Sequence, residues 1–119
     1  MLEILPESQG NILGFRARKQ VSLEDFRREL APRLAGVVAE LGKARILLVL
    51  GDDFEGFDRE ALKGEVMGSL RQDEVEKIAV VGGSWWTRLE VRLGAGLLTA
   101  EVETFAADKL EEAWEWIRE

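Results

Sequence analysis

The sequence contains no histidine, no cysteine and no tyrosine. It therefore offers no imidazole base, no thiolate nucleophile and no phenol acid, and the usual nitrogen and sulfur ligands of zinc are missing too. Carboxylates, lysines and hydroxyls are the groups that remain for chemistry. Because they form no complete catalytic constellation in the sequence, we expect a protein that is not an enzyme and that holds no cofactor and no metal.

Basic residues are fewer than acidic ones. The sequence has 16 lysines and arginines and 23 aspartates and glutamates, so its net charge is −7. This charge repels nucleic-acid backbones and anionic membranes, so we expect no nucleic-acid partner. The sequence shows neither a basic start followed by an apolar run nor an apolar stretch of membrane-spanning length. We therefore expect a cytoplasmic protein without stable membrane insertion.

What the chain does contain is typical of one globular domain. Its 119 residues are 46% hydrophobic and 33% charged, which is enough apolar material for a real core. Repeats, low-complexity tracts and candidate linkers are missing. We expect a single domain over residues 1–119.

The first part of the chain predicts a hairpin and then a helix. Residues 2–6 and 12–19 are strand candidates separated by a turn, and the second alternates apolar and polar positions. Ser22 and Asp25 have the spacing of a capping box, and apolar residues follow at helical spacing until Gly42. Pro32 lies inside this helix, so we expect a kink near Ala31.

The rest of the chain alternates strands with helices. Strands are predicted at Ala44–Leu50, at Lys77–Val81 and, as a sheet edge, at Ala100–Phe105; helices are predicted around residues 62–70, 86–97 and 110–117. The resulting order is ββαβαβαβα. It predicts an α/β fold with a five-stranded, mostly parallel sheet, four helices and an antiparallel first strand at or near one edge.

An acidic loop, Gly51–Asp58, follows the central strand, where open α/β folds often present their working surface. Asp52, Asp53, Glu55 and Asp58 could gather a hard cation. Their spacing does not fit the EF-hand pattern, however, and acidic residues are favoured before a helix in any case. We therefore favour a structural role for these carboxylates.

Aromatic residues accompany both loops that follow the central strands. Phe54 and Phe57 lie in the acidic loop, and Trp85 and Trp86 follow the next strand, so all four should face one rim. They either close the top of the core or line a ligand cleft or partner surface. The candidate binding residues are Asp52, Asp53, Phe54, Phe57, Trp85 and Trp86.

Two weaker candidates complete the set. Gly82-Gly83-Ser84 could form a small anion nest with Thr87, although it lacks both the P-loop and the dinucleotide-binding spacing, and a capped turn is the better interpretation. Trp116 lies off the apolar stripe of the last helix. It is a second contact candidate, or a ring that lies flat on the surface.

Several segments together resemble a known family. Ile12-Leu-Gly-Phe15, the run from Lys43 to Asp58, Lys77-Ile-Ala-Val-Val81 and Glu111-Glu-Ala-Trp-Glu-Trp-Ile117 are similar to the SpoIIAA-like, STAS/SEC14-type family of small bacterial proteins. The resemblance covers nearly the whole chain, and the acidic phenylalanine loop is its most specific part. It implies a STAS-like βα superhelix.

One departure limits what the resemblance implies about function. Anti-sigma-factor antagonists of this type place a phosphorylatable serine where the helix after the central strand begins. The matching stretch here, Gly51–Asp58, contains no serine or threonine, and Ser69 lies too far along. We therefore expect no serine phosphorylation switch.

Two functions remain after these exclusions. The favoured one is a non-enzymatic STAS-like interaction or regulatory module that acts through protein contacts. We expect it to be a homodimer, because central strands that are apolar on both faces need extensive cover. The rival is a SEC14-like binder of a small apolar or lipid-like ligand.

Overall fold

The computed structural model describes residues 1–58, 74–83 and 100–119. The main sheet consists of Leu2–Ile4 (β1), Ile12–Ala17 (β2), Ala44–Leu50 (β4), Val75–Gly82 (β6) and Glu101–Phe105 (β7). Two short strands, Gln20–Val21 (β3) and Gly56–Phe57 (β5), pair in parallel as a separate sheet. The main sheet has the order β1-β2-β4-β6-β7, and it is mixed because β1 is antiparallel to β2 while the other neighbours are parallel.

Helical structure flanks the sheet in two described segments. The first consists of Leu23–Asp25 (α1), a π-helical turn at Phe26–Leu30 and Ala31–Leu41 (α2); the second is Leu110–Arg118 (α3), which a 3-10 turn at Ala107–Lys109 precedes. Two of the four predicted helices are thus present. The other two, predicted around residues 62–70 and 86–97, lie outside the described residues.

The prediction of five strands with an antiparallel first strand at the edge is confirmed. The central strand has the predicted bounds, and β7 lies at the far end of the strand order. The pair formed by β3 and β5 was not predicted, since Gly56 and Phe57 were assigned to the acidic loop and Gln20 and Val21 to no element. Two-residue strands carry no periodicity, so only their pairing reveals them.

The capping box at the start of α1 is confirmed. The Ser22 hydroxyl accepts a hydrogen bond from the backbone N–H of Asp25 at 3.2 Å, and the Asp25 carboxylate accepts one from the backbone N–H of Ser22 at 2.9 Å. The expected irregularity before Pro32 takes the form of a π-helical turn, in which the N–H of Ala31 bonds to the carbonyl of Phe26. The α-helix then restarts at Ala31, so Pro32 lies in its first turn, where a missing donor is tolerated.

Apolar side chains form a core on each face of the sheet. On one face, Ile46 and Leu50 of β4 belong to the cluster that includes Leu34 of α2. On the other face, Leu47 of β4 packs in the cluster that includes Ile117 of α3, and both are fully buried. One chain therefore buries both faces of β4. The predicted homodimer is not needed for that cover, and it stays a prediction.

Basic side chains of the sheet anchor the end of α3. The Arg45 guanidinium donates a 2.7 Å hydrogen bond to the carbonyl of Ile117, and the Lys77 ammonium donates one of 3.1 Å to the carbonyl of Trp116. Cations at a helix C-terminus satisfy its free carbonyls and favour its dipole. Within the part of the chain that the structure describes, no helix has the length and apolar character needed to cross a membrane.

Candidate functional site

The acidic loop, Gly51–Asp58, extends from the carboxyl end of β4 and lies along the segment Ala17–Val21. Backbone hydrogen bonds join the two, from Gly51 N to Ala17 O (3.0 Å), Lys19 N to Asp53 O (3.1 Å), Glu55 N to Lys19 O (2.8 Å) and Asp58 N to Val21 O (2.9 Å). The pairing of β3 with β5 is part of this contact. Backbone hydrogen bonds to residues 17–21 therefore fix the acidic loop along most of its length.

Lys19 has an unusual conformation at the centre of this contact. Its φ of 52° is the only positive value among the described residues other than glycine. A side chain in this region costs about 1 kcal/mol. The conformation lets Lys19 donate its N–H to Asp53 and accept from the N–H of Glu55. Two loop residues are thereby fixed by one strained residue.

Asp53 is held by a side-chain contact as well. Its Oδ2 accepts hydrogen bonds from Nε and Nη2 of Arg18 at 3.2 and 3.1 Å, while Glu3 lies 3.6 Å from the same guanidinium. The hydrogen bond from Arg18, together with the charge of Arg18, lowers the pKa of Asp53. The ion pair of Asp53 with Arg18 therefore attaches the acidic loop to the end of β2.

The two phenylalanines of the acidic loop pack together. Their ring centroids are 5.1 Å apart in an edge-to-face arrangement, and Phe57 also stacks on Phe26 at 6.1 Å. Phe54 and Phe57 are half-buried against the core on the α2 face. Each ring contacts the core, as expected if the rings close the top of the core. Each ring also remains partly accessible, as expected if they line a ligand cleft or partner surface. Phe26 is one of the apolar residues that recur at helical spacing after Ser22, but nothing in the sequence linked it to the acidic loop.

The tryptophans predicted for the same rim, Trp85 and Trp86, lie outside the described residues, as do Ser84 and Thr87. The glycines before them are described, and both have positive φ. A Cβ at Gly82 would lie 2.8 Å from the carbonyl oxygen of Leu50. Glycine at this position therefore lets the end of β6 lie close to the end of β4.

A cleft of about 410 Å³ lies at this edge of the sheet. The acidic loop contributes Gly51, Asp52, Phe54 and Glu55 to its lining, and Leu50, Gly83 and Ala107 also line it. These residues follow or end β4, β6 and β7, so the cleft lies at the carboxyl ends of neighbouring parallel strands, where ligand sites of open α/β folds occur. Sequence reasoning missed Ala107. Its position just after the edge strand was the available signal.

Asp52 and Glu55 differ from Asp53 in their surroundings. Both are exposed, and neither carboxylate has an ion-pair partner in the described parts of the chain. No group of acidic residues within the described ranges is arranged to hold a metal ion. As far as the described residues go, the cleft therefore carries two negative charges without a basic partner, beside an aromatic ring.

Trp116, the second contact candidate, packs against the sheet instead of standing free. Its ring lies 6.1 Å from that of Phe105, and the Lys77 ammonium lies 4.7 Å from its centroid. The ring is half-buried beside the core on the α3 face. These contacts show a side chain that covers part of the sheet on the α3 face.

Comparisons with known proteins agree with this architecture. A search of curated proteins found no match. The crystal structure of an uncharacterized protein of the DUF3478 family with a SpoIIAA-like fold, from Shewanella loihica PV-4, is similar with a TM-score of 0.73 at 18% identity, covering 98% of this chain and 93% of that chain. At this identity the likeness shows the fold alone. The sequence model of the SpoIIAA-like family matches residues 12–118. This chain therefore belongs to the SpoIIAA-like family.

Proposed function

We propose that this chain is a non-enzymatic, STAS-type interaction module that contacts a protein partner with its acidic loop. The observation that carries the proposal is the position of Phe54, a half-buried ring that lines the cleft together with the exposed residues Asp52 and Glu55. The loop is already fixed by its bonds to residues 17–21. A preorganised surface loses little conformational entropy on binding, which favours recognition.

The same loop supports a mode of action without phosphorylation. Residues 51–58 contain no serine or threonine, so they offer no hydroxyl to a serine kinase. Association with a partner would then depend on the abundance or conformation of that partner. Intact mass measurement of the protein from its native host should show no stoichiometric phosphate.

A second candidate function is binding of a small apolar or lipid-like ligand. It is favoured by the cleft, whose volume of about 410 Å³ falls within the usual range for small-molecule sites. Leu50, Phe54 and Ala107 give it apolar walls. The carboxylates of Asp52 and Glu55 oppose ligands with anionic head groups, which makes this candidate the weaker one.

Native mass spectrometry of protein purified from its source separates these functions. A retained protein partner supports the proposal, a retained small molecule supports the second candidate, and a mass of two chains supports the predicted homodimer. The variant Phe54→Ser should lose the partner. Its control is Leu41→Ser, which removes an apolar side chain that is 57% exposed at the end of α2. Equal retention by both variants would contradict a contact through the acidic loop.

A further inference from the structure

We infer that the cleft between the acidic loop and the end of β6 accepts an arginine or lysine side chain from a basic segment of the partner protein. This inference rests on the proposed function and specifies the chemistry of the contact. It draws on three features of the described residues: the charges left unpaired at the cleft, the apolar surface beside them, and the net charge of the chain.

The charge at the cleft comes from two of the three neighbouring carboxylates. Asp53 is compensated by Arg18, whose guanidinium lies 3.1 Å from its Oδ2. Asp52 and Glu55 line the cleft and have no such partner among the described residues. Among the described residues, one carboxylate therefore holds the loop, and two have no basic partner and can meet a cation.

The cleft also offers apolar surface to the stem of a long basic side chain. Leu50, Phe54 and Ala107 lie beside the two carboxylates in its lining. Lysine and arginine bury their methylene stems on apolar surface while the charged head contacts polar groups. A cation near the ring of Phe54 gains further attraction from the aromatic face. Aromatic and acidic groups side by side thus suit this kind of side chain.

The net charge of the chain decides between possible occupants. With a net charge of −7, two copies of the chain repel each other, and the chain also repels phosphate-rich surfaces. A basic protein segment is attracted by the same field, which also raises its association rate. Charge complementarity therefore favours a different, basic protein over a second copy, a nucleic acid or an anionic membrane.

The test is an NMR titration of the whole ¹⁵N-labelled chain with two short probes. One is an acetylated and amidated Gly-Arg-Gly peptide, and the other carries citrulline, which is neutral and nearly isosteric, in place of arginine. We expect the arginine peptide to shift the amide signals of Gly51, Asp52, Phe54, Glu55 and Gly83 and the citrulline peptide to shift them far less. Added salt should weaken the arginine effect.

Charge-neutral variants with a matched control complete the experiment. Asp52→Asn with Glu55→Gln should weaken binding of the arginine peptide about fivefold, as expected for the loss of two exposed charge contacts. Glu111→Gln with Glu112→Gln removes the same charge from the exposed face of α3 and should leave binding unchanged. Equal losses in both double variants would mean that the effect is the overall field, and the inference would be overturned.

Other outcomes also have a defined meaning. Equal shifts from both peptides, or shifts confined to α3, would overturn the inference. So would a wild type that is a dimer by light scattering and whose cleft amides do not respond to the arginine peptide. If Phe54→Ser releases the native partner but the Asp52 and Glu55 variant retains it fully, the proposed function stands and the cation site falls. If Phe54→Ser leaves the partner bound while the arginine peptide still binds the cleft, the proposed function falls instead.

Discussion

The indole of Trp114 on α3 lies directly against the backbone of Gly14 in β2. A Cβ built on Gly14 would lie 2.9 Å from Cη2 of the indole, which is closer than carbon atoms pack. Trp114 is 9% exposed and belongs to the core on the α3 face. Glycine at this position therefore sets how closely the last helix approaches the sheet.

The first prediction concerns this contact. Gly14→Ala should lower the free energy of unfolding by about 1–3 kcal/mol, because the added methyl group overpacks the site. Chemical denaturation measures the change. Gly36→Ala is the control, since a Cβ there meets no atom within 4 Å. Replacing a glycine inside a helix should stabilise the protein by about 0.5–1 kcal/mol, and a similar gain at Gly14 would contradict the tight contact.

The capping box predicts a pH-dependent contribution to stability. Burial alone would raise the pKa of Asp25, but hydrogen bonds from Ser22 and from the ammonium group of Met1 outweigh it and lower the pKa. A lowered pKa in the folded state means that the contribution is present above the unfolded value of about 3.9 and is lost as the pH falls through the folded value.

Asp25→Ala should accordingly cost about 1 kcal/mol near neutral pH. The difference from the wild type should shrink in acid, and thermal unfolding across a pH series would show it. Glu24→Gln alters the exposed neighbour in the same helical turn and serves as the control. A deficit that stays constant down to strongly acidic pH would rule out the ionised carboxylate as its source.

The ion pair between Arg18 and Asp53 should order the acidic loop more than it stabilises the whole protein, because both side chains are substantially exposed. Asp53→Asn should speed hydrogen exchange at the amides of Lys19 and Glu55, whose bonds hold the loop. The melting temperature should hardly change. Since the pKa of Asp53 is lowered, the same loosening should appear in the wild type only as the pH falls through that lowered value. Unchanged exchange in the variant would show that the backbone contacts suffice.

The aromatic cluster predicts different costs for its two loop members. Phe57 contacts both Phe26 and Phe54, so Phe57→Ala should cost about 2 kcal/mol, less than the roughly 3–5 kcal/mol for a fully buried ring. Phe54→Ser should cost less than Phe57→Ala. Chemical denaturation gives both values, and light scattering reports the assembly state. A large loss from Phe54→Ser in a monomeric wild type would make Phe54 a core residue and would remove the basis for the proposed interface.

Divalent cations should leave the protein unchanged. Asp53 is already paired with Arg18, so the acidic loop does not gather its carboxylates around one point. A ligand that binds only the native state raises the melting temperature. Millimolar Ca²⁺ or Mg²⁺ should therefore give the same melting curve as EDTA. A rise of several degrees would restore the loop as a cation site.

Features encoded by neighbouring residues could be predicted from the sequence. The apolar run that follows Arg45 predicted the buried strand Ala44–Leu50. The spacing of Ser22 and Asp25 predicted the start of a helix, and Gly42 predicted its end. Each rests on hydrogen bonding or periodicity within a few residues, so the sequence carries it locally. The SpoIIAA-like fold followed from the resemblance carried by four segments, which are residues 12–15, 43–58, 77–81 and 111–117.

Tertiary structure decided the features that join distant segments. The ion pair of Arg18 with Asp53, the bonds that Lys19 makes across the acidic loop, and the contact of Trp114 with Gly14 leave no periodic signal in the sequence. The sequence showed four acidic positions in the loop, but it could not show that Arg18 pairs with Asp53. That pairing depends on where β2 ends beside β4, because a charge is compensated by whatever the fold places within a few ångströms of it.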